Sequence, residues 1–236
     1  MFPIRDDQPS FTKPFVNYFI IGLNVVVFLF EQWIGLESPR AYLAFIYEFG
    51  IVPQHVTHAL GGAGGFTLAA AFLPILTSMF VHGGWMHIIG NMWFLWIFGD
   101  NIEDRLGHFR YLIFYLLCGF AAGFTHIMLN LGSNLPTVGA SGAISGVMGA
   151  YLLLYPRAKV LTLVVLIVFF TFWWLPSWVF LCYWFLLQFL AGAATIGETG
   201  PGGGVAVWAH VGGFVAGLLL IKVFPARTRS NRYGSW

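Results

Sequence analysis

The sequence predicts an all-α membrane protein, a polytopic bundle of six transmembrane helices, and three observations predict it. Apolar residues make up 58% of the 236 positions and charged residues only 8%. A soluble domain carries about 25% charge, so this chain cannot cover a water-facing surface. No Asp, Glu, Lys or Arg occurs between Glu48 and Asp100, Arg110 and Arg157, Lys159 and Glu198, or Glu198 and Lys222. Such runs suit a bilayer, since one span needs about 20 apolar residues. The few cations, finally, gather at the ends of these runs. The same numbers exclude an ordinary soluble enzyme and a disordered tail. With a formal charge of +2 and no basic patch, they also exclude a nucleic-acid partner.

Element by element, the N-terminal segment is polar and mixed in charge, and a first span follows at about 15–34. It is too long for a signal-peptide core and lacks a small-residue cleavage pattern, so it reads as a retained helix. A long connection, about 35–82, holds scattered Gly, Pro and aromatics and is apolar enough to lie in the membrane interface. Further spans are expected at about 85–103, 109–131 and 141–155, the last short and glycine-rich. The run Val160–Ala194 is too long for one perpendicular helix and is interrupted at Pro176. It contributes a span at about 177–194, with Val160–Leu175 interfacial or re-entrant. The last span is about 206–224, after a linker at 195–207. The whole chain, 1–236, is thus read as one membrane domain.

Charge selects this count. With six spans both termini share a side, and Arg5, Lys13, Arg105, Arg110, Arg157, Lys159, Lys222, Arg227, Arg229 and Arg232 all fall there. Only Arg40 is left opposite, and the positive-inside rule makes the common side cytoplasmic. Both termini are thus expected in the cytoplasm, with the bilayer itself as a partner.

Polar groups inside such spans are costly unless paired or functional. The sharpest pattern is Gly139-Ala140-Ser141-Gly142, where a polar loop meets the fourth span. A serine in the first helical turn sits among N–H groups that lack an intrahelical acceptor and can hold an oxyanion. Alone it reads equally as an N-cap. The last span adds His210, Gly213 and Gly217 at i, i+3 and i+7, opposite Gly142, Gly146 and Gly149 at i, i+4 and i+7. Small residues at this spacing let membrane helices approach closely. If the two stripes face each other, His210 points at Ser141 and supplies the base that a serine nucleophile needs. No carboxylate lies within either span, so the site would be a Ser–His dyad.

His87 and Asn91 lie four apart on one face of the second span and read either as oxyanion donors or as a structural polar cluster. His82 reads as structural. A zinc site from His82, His87 and His210 lacks the HExxH pattern and a nearby carboxylate, so no metal and no cofactor is expected. Glu103 and Arg105 read as an ion pair or loop anchor, His55 and His58 as solvated, His108 as interfacial, and His126 as a satisfied interior histidine. Cys118 and Cys182 read as small buried hydrophobes. Trp173, Trp174, Trp178, Tyr183, Trp184 and Phe185 read as an aromatic belt facing lipid.

Taken together, the stretches His82–Asn91, Gly99-Asp100-Asn101-Ile102-Glu103-Asp104-Arg105-Leu106-Gly107, Gly139–Gly149 and Ala209–Gly217 resemble those of a rhomboid intramembrane serine protease of bacterial or archaeal type. The resemblance implies a six-helix core with a water-filled cavity opening away from the cytoplasm. It also implies that transmembrane proteins are the substrates, cut near the membrane surface. Ser141 would match the nucleophile, His210 the general base, and His87 and Asn91 the oxyanion helpers. Gly139 would belong to the packing around them. Segment 195–207 would match a displaceable cap, with the span at 177–194 as the movable wall beside it. A catalytically silent relative that binds membrane proteins in quality control is the alternative, and oligomeric state is left open. One departure stands out. Ser145 occupies the position, one turn after Ser141, where some members carry an aromatic that stacks on the base.

Overall fold

The computed structural model describes residues 1–62, 65, 67–166, 169–194 and 207–227. A short strand, β1 (Phe2–Asp6), precedes helix α1 (Phe15–Glu37). The long connection folds into α2 (Pro39–Phe49), α3 (Pro53–Leu60) and α4 (Leu68–Thr77), closed by a 3-10 turn at Ser78–Phe80. Then come α5 (Trp85–Leu106), α6 (His108–Leu129) and α7 (Ser141–Leu154). The hairpin β2 (Lys159–Leu166) and β3 (Phe169–Pro176) leads directly into α8 (Ser177–Ala194), and α9 (Val207–Val223) completes the bundle. By length and composition α1, α6 and α8 can each cross a membrane. Segment Leu68–Phe80 and α5 meet the same criteria only as a pair bent by 76°, a broken span or a re-entrant loop, while α7 and α9 are shorter apolar helices.

The expected helical bundle is present, and what departs from all-α is a three-stranded antiparallel sheet in the order β1-β2-β3. The stretch expected to be interfacial or re-entrant is its hairpin, with Lys159 opposite Pro176 and Leu166 opposite Phe169. The sequences KVLTLVVL and FFTFWWLP are rich in β-branched and aromatic residues, which fit a pleated surface better than a helix. In β2, Val160, Thr162 and Val164 are buried while Leu161 and Leu163 between them are less so, the period-two signature of a half-covered strand. The N-terminus pairs its Phe2 with Leu163 and its Asp6 with Val160. Pro3, which lacks an N–H, sits on this edge strand, where the ladder loses nothing essential.

Helix α7 forms the centre of the molecule. Every residue from Gly142 to Tyr151 is buried, walled by α5, α6 and α9. A buried polar knot holds α1 against α5. The Glu103 carboxylate accepts from the backbone N–H groups of Val16 (3.0 Å) and Asn17 (2.7 Å) at the start of α1, where a helix has free donors and its dipole favours negative charge. Asn17 in turn donates to Leu95 O at 3.0 Å and accepts from the Tyr111 hydroxyl at 2.7 Å. Glu103 also meets His108 Nδ1 at 2.5 Å. The loop-anchor reading of Glu103 therefore acquires a definite object, the first turn of α1. Arg105 is exposed, and its backbone carbonyl accepts from the Arg227 N–H at 2.8 Å.

Several smaller expectations change. His55 and His58, read as solvated, are half-buried on α3. Cys118 is buried but Cys182 is exposed. Trp173 and Trp174 lie on β3, and Trp184 and Phe185 pack inward against the core. The period of α8 is responsible, since these two residues fall on the face that meets α9, while Trp178 and Tyr183 fall on the exposed one. The cap assigned to 195–207 lies outside the described residues, Val207 excepted.

Candidate active site

Contact between α7 and α9 rests on glycine. A methyl group added to Gly213 would stand 2.0 Å from Gly142 O, and one added to Gly217 would stand 1.9 Å from Gly146 O. On the opposing stripe, a methyl at Gly149 would meet Phe214 O at 2.3 Å. Gly142 and Gly146 are equally tight against α6, at Ala122 and Cys118. The two stripes do face each other, and no other residue fits at these crossings.

This packing sets the imidazole against the hydroxyl. His210 Nε2 lies 2.7 Å from Ser141 Oγ. Its other nitrogen, Nδ1, lies 2.8 Å from Gln188 Oε1 of α8. An amide oxygen only accepts, so Nδ1 carries the proton and Nε2 is the acceptor for the serine O–H. The Trp184 ring, one turn before Gln188, lies 5.9 Å from the imidazole at a tilt of 43°. Ser145, in the place of the absent aromatic, donates its hydroxyl back to Ser141 O at 2.6 Å.

Residues from α5 close the other side. Gly139 has φ +128, a conformation that favours glycine, and its N–H is held by Ser78 O at 2.8 Å. A methyl there would strike the His87 ring at 2.7 Å, and the Asn91 amide nitrogen would lie 3.6 Å away. His87 and Asn91 thus converge on the backbone immediately before Ser141. Asn91 is buried, and its Nδ2 has no hydrogen-bond partner among the described residues. An open cleft beside Ser141 is lined by Met79, Ala122, Gly123, His126, Thr137 and Gly142. His126 is buried there and is satisfied by Thr137 Oγ1 (3.0 Å) and Asn130 Nδ2 (3.2 Å).

Three further residues matter that the sequence reading passed over or left bland. Gln188 is one, and its signal was available as the sole amide in an apolar 18-residue helix. Glu31 is another, a fully buried carboxylate within α1 that accepts from His82 N–H at 3.2 Å on each oxygen. It anchors the segment that enters α5. His82 itself is buried, with its ring against that of His87, centroids 5.1 Å apart. Among the described residues no group of three or more His, Cys, Asp or Glu side chains is placed to hold a metal ion.

Fold and site together define a multi-pass helical membrane protein with a hydrogen-bonded serine–histidine pair enclosed in its bundle. Residues 69–227 match the Rhomboid domain, and the chain belongs to the rhomboid family. It is 33% identical over 116 residues to rhomboid-like protein 11, chloroplastic, of Arabidopsis thaliana, covering 48% of this chain and 38% of that protein. Rhomboid protein 1, mitochondrial, of Saccharomyces cerevisiae is 28% identical over 62% of this chain and 38% of its own length. Rhomboid protease GluP of Bacillus subtilis is 29% identical over 59% of this chain and 24% of its own. The chain thus spans well under half the length of these relatives. They come from a plant, a yeast and a bacterium, so they do not single out the bacterial or archaeal type.

Proposed function

We propose that the protein is an intramembrane serine protease that hydrolyses peptide bonds in or near the transmembrane segments of other membrane proteins. The observation that carries this reading is the 2.7 Å hydrogen bond between Ser141 Oγ and His210 Nε2. The proposed core has six spans, α1, α5, α6, α7, α8 and α9, in a prokaryotic cytoplasmic membrane with both termini cytoplasmic.

The substrate helix enters between α5 and α8 and unwinds, since only extended backbone exposes its carbonyl. Ser141 Oγ bonds to the carbonyl carbon while its proton passes to His210 Nε2. The developing oxyanion is stabilised by the Ser141 N–H at the start of α7, by Asn91 Nδ2 and by His87. As the C–N bond breaks, His210 returns the proton to the leaving amine. Water then hydrolyses the acyl-enzyme with the same base. The glycine seam and Gly139 keep these groups within reach of one another. With Gln188 where a triad has a carboxylate, the imidazolium gains less stabilisation, and a slow, selective enzyme is expected.

The test is reaction of the purified protein with a fluorescent fluorophosphonate and with a panel of single-span substrates. Labelling and cleavage by the wild type, both lost in Ser141→Ala with the melting temperature unchanged, are the expected result. Absence of labelling in the wild type would favour the catalytically silent, binding-only alternative.

A further inference from the structure

We infer that Gln188 is the positioning residue for His210, so that the base is held in its working orientation by α8 and not by the helix that carries the serine. This rests on the proposed protease reading and specifies the regulation of that same site. Three observations carry it.

An imidazole works as a base here only in the tautomer with Nδ1 protonated and Nε2 facing the hydroxyl, and some neighbour must select it. No carboxylate bonds to His210 among the described residues, and Gln188 Oε1 at 2.8 Å faces Nδ1 instead. Helix α7 offers the ring no support at its next turn, because the Ser145 hydroxyl is engaged with Ser141 O. Helix α8 offers two contacts from one face. Gln188 supplies the acceptor, and Trp184, at i−4, supplies a ring 5.9 Å from the imidazole. Trp184 also packs against Phe214, one turn beyond His210 on α9, so the clamp is itself anchored. The base and its support therefore sit on different helices. The catalytic pair is complete only while α8 is docked on α9, and a displacement of α8 that admits a substrate also loosens the base.

The experiment measures fluorophosphonate labelling rate against pH for the full-length protein in liposomes. Gln188→Met keeps the volume but removes the acceptor. The expected rate falls about tenfold, the size of one neutral hydrogen bond, and the acid limb moves to lower pH because the imidazolium loses a partner. Gln188→Glu restores a carboxylate, and its acid limb is expected to move to higher pH with labelling retained above it. Opposite displacements of the limb are not produced by a merely structural side chain. Should Gln188→Met fail to fold, the shift in Gln188→Glu decides alone. Both variants keeping the wild-type limb and rate while His210→Ala is silent would overturn this inference and leave the protease reading intact. Wild-type labelling by His210→Ala would overturn both.

Discussion

In the proposed reaction Asn91 acts through what it leaves unbonded in the resting protein. Its amide nitrogen is buried, lies close to Gly139, and has no partner among the described residues. A donor kept out of protein hydrogen bonds but close to the serine is suited to a charge that appears only in the transition state. Asn91→Ala is therefore expected to lower kcat about 100-fold, roughly 2.7 kcal/mol of transition-state stabilisation. KM should move little. The melting temperature should also hold, since no protein hydrogen bond of Nδ2 is lost. Steady-state kinetics on a single-span substrate, beside thermal denaturation in detergent, would check both halves. A drop in stability as large as the drop in rate would instead make Asn91 part of a structural cluster, the other reading its spacing from His87 allowed.

Helix spacing and strand spacing were not equally legible. The glycines of α7 and α9 could be paired from their intervals alone, because close approach in a membrane demands small residues and leaves a repeat of three and four. The seam then makes a prediction. Gly217→Ala sets a methyl 1.9 Å from Gly146 O, a contact that backbone cannot yield to without moving the helices apart. Overpacking of this kind costs about 1–3 kcal/mol or more, and the displacement also breaks the 2.7 Å bond between His210 and Ser141. Cleavage should be lost and the melting temperature lowered. Gly22→Ala, on α1 with nothing within 4 Å, should leave both at or slightly above wild type, since alanine is the better helix former. The hairpin of β2 and β3 was harder to read. An apolar run without alternating polar residues hides its period, and only the Val, Phe and Trp content favoured strand over helix. Gln188 was missed for another reason. One amide among aromatic neighbours has no partner in its own helix, and its partner, His210, lies in a helix whose rotation about α8 no local pattern specifies.

Across the whole molecule, the sheet ties the N-terminus to the helix that begins with Ser141. Trp93 of α5 donates its indole N–H to Pro3 O at 2.7 Å, and the Asp6 carboxylate accepts from the Tyr151 hydroxyl near the far end of α7. Burial pushes the Asp6 carboxyl up to about 7, with Asp100 adding to the rise and the Tyr151 hydrogen bond opposing it. The ordinary value is about 4, so between about 4 and 7 the docked strand holds a proton that the undocked strand has released. Proton uptake on docking means that stability falls as pH rises. The stabilisation of β1 is fully present below about 4 and is lost by the time pH has passed about 7. Hydrogen exchange at residues 2–6 and their partners 160–163, corrected for intrinsic rate, should accordingly show less protection at pH 8 than at pH 5. Asp6→Asn, uncharged at every pH, should flatten that difference and keep the strand protected at pH 8. Equal protection of the wild-type strand at both values would mean that Asp6 does not couple its docking to protons, and that the backbone ladder to β2 and the indole of Trp93 hold the strand in place by themselves.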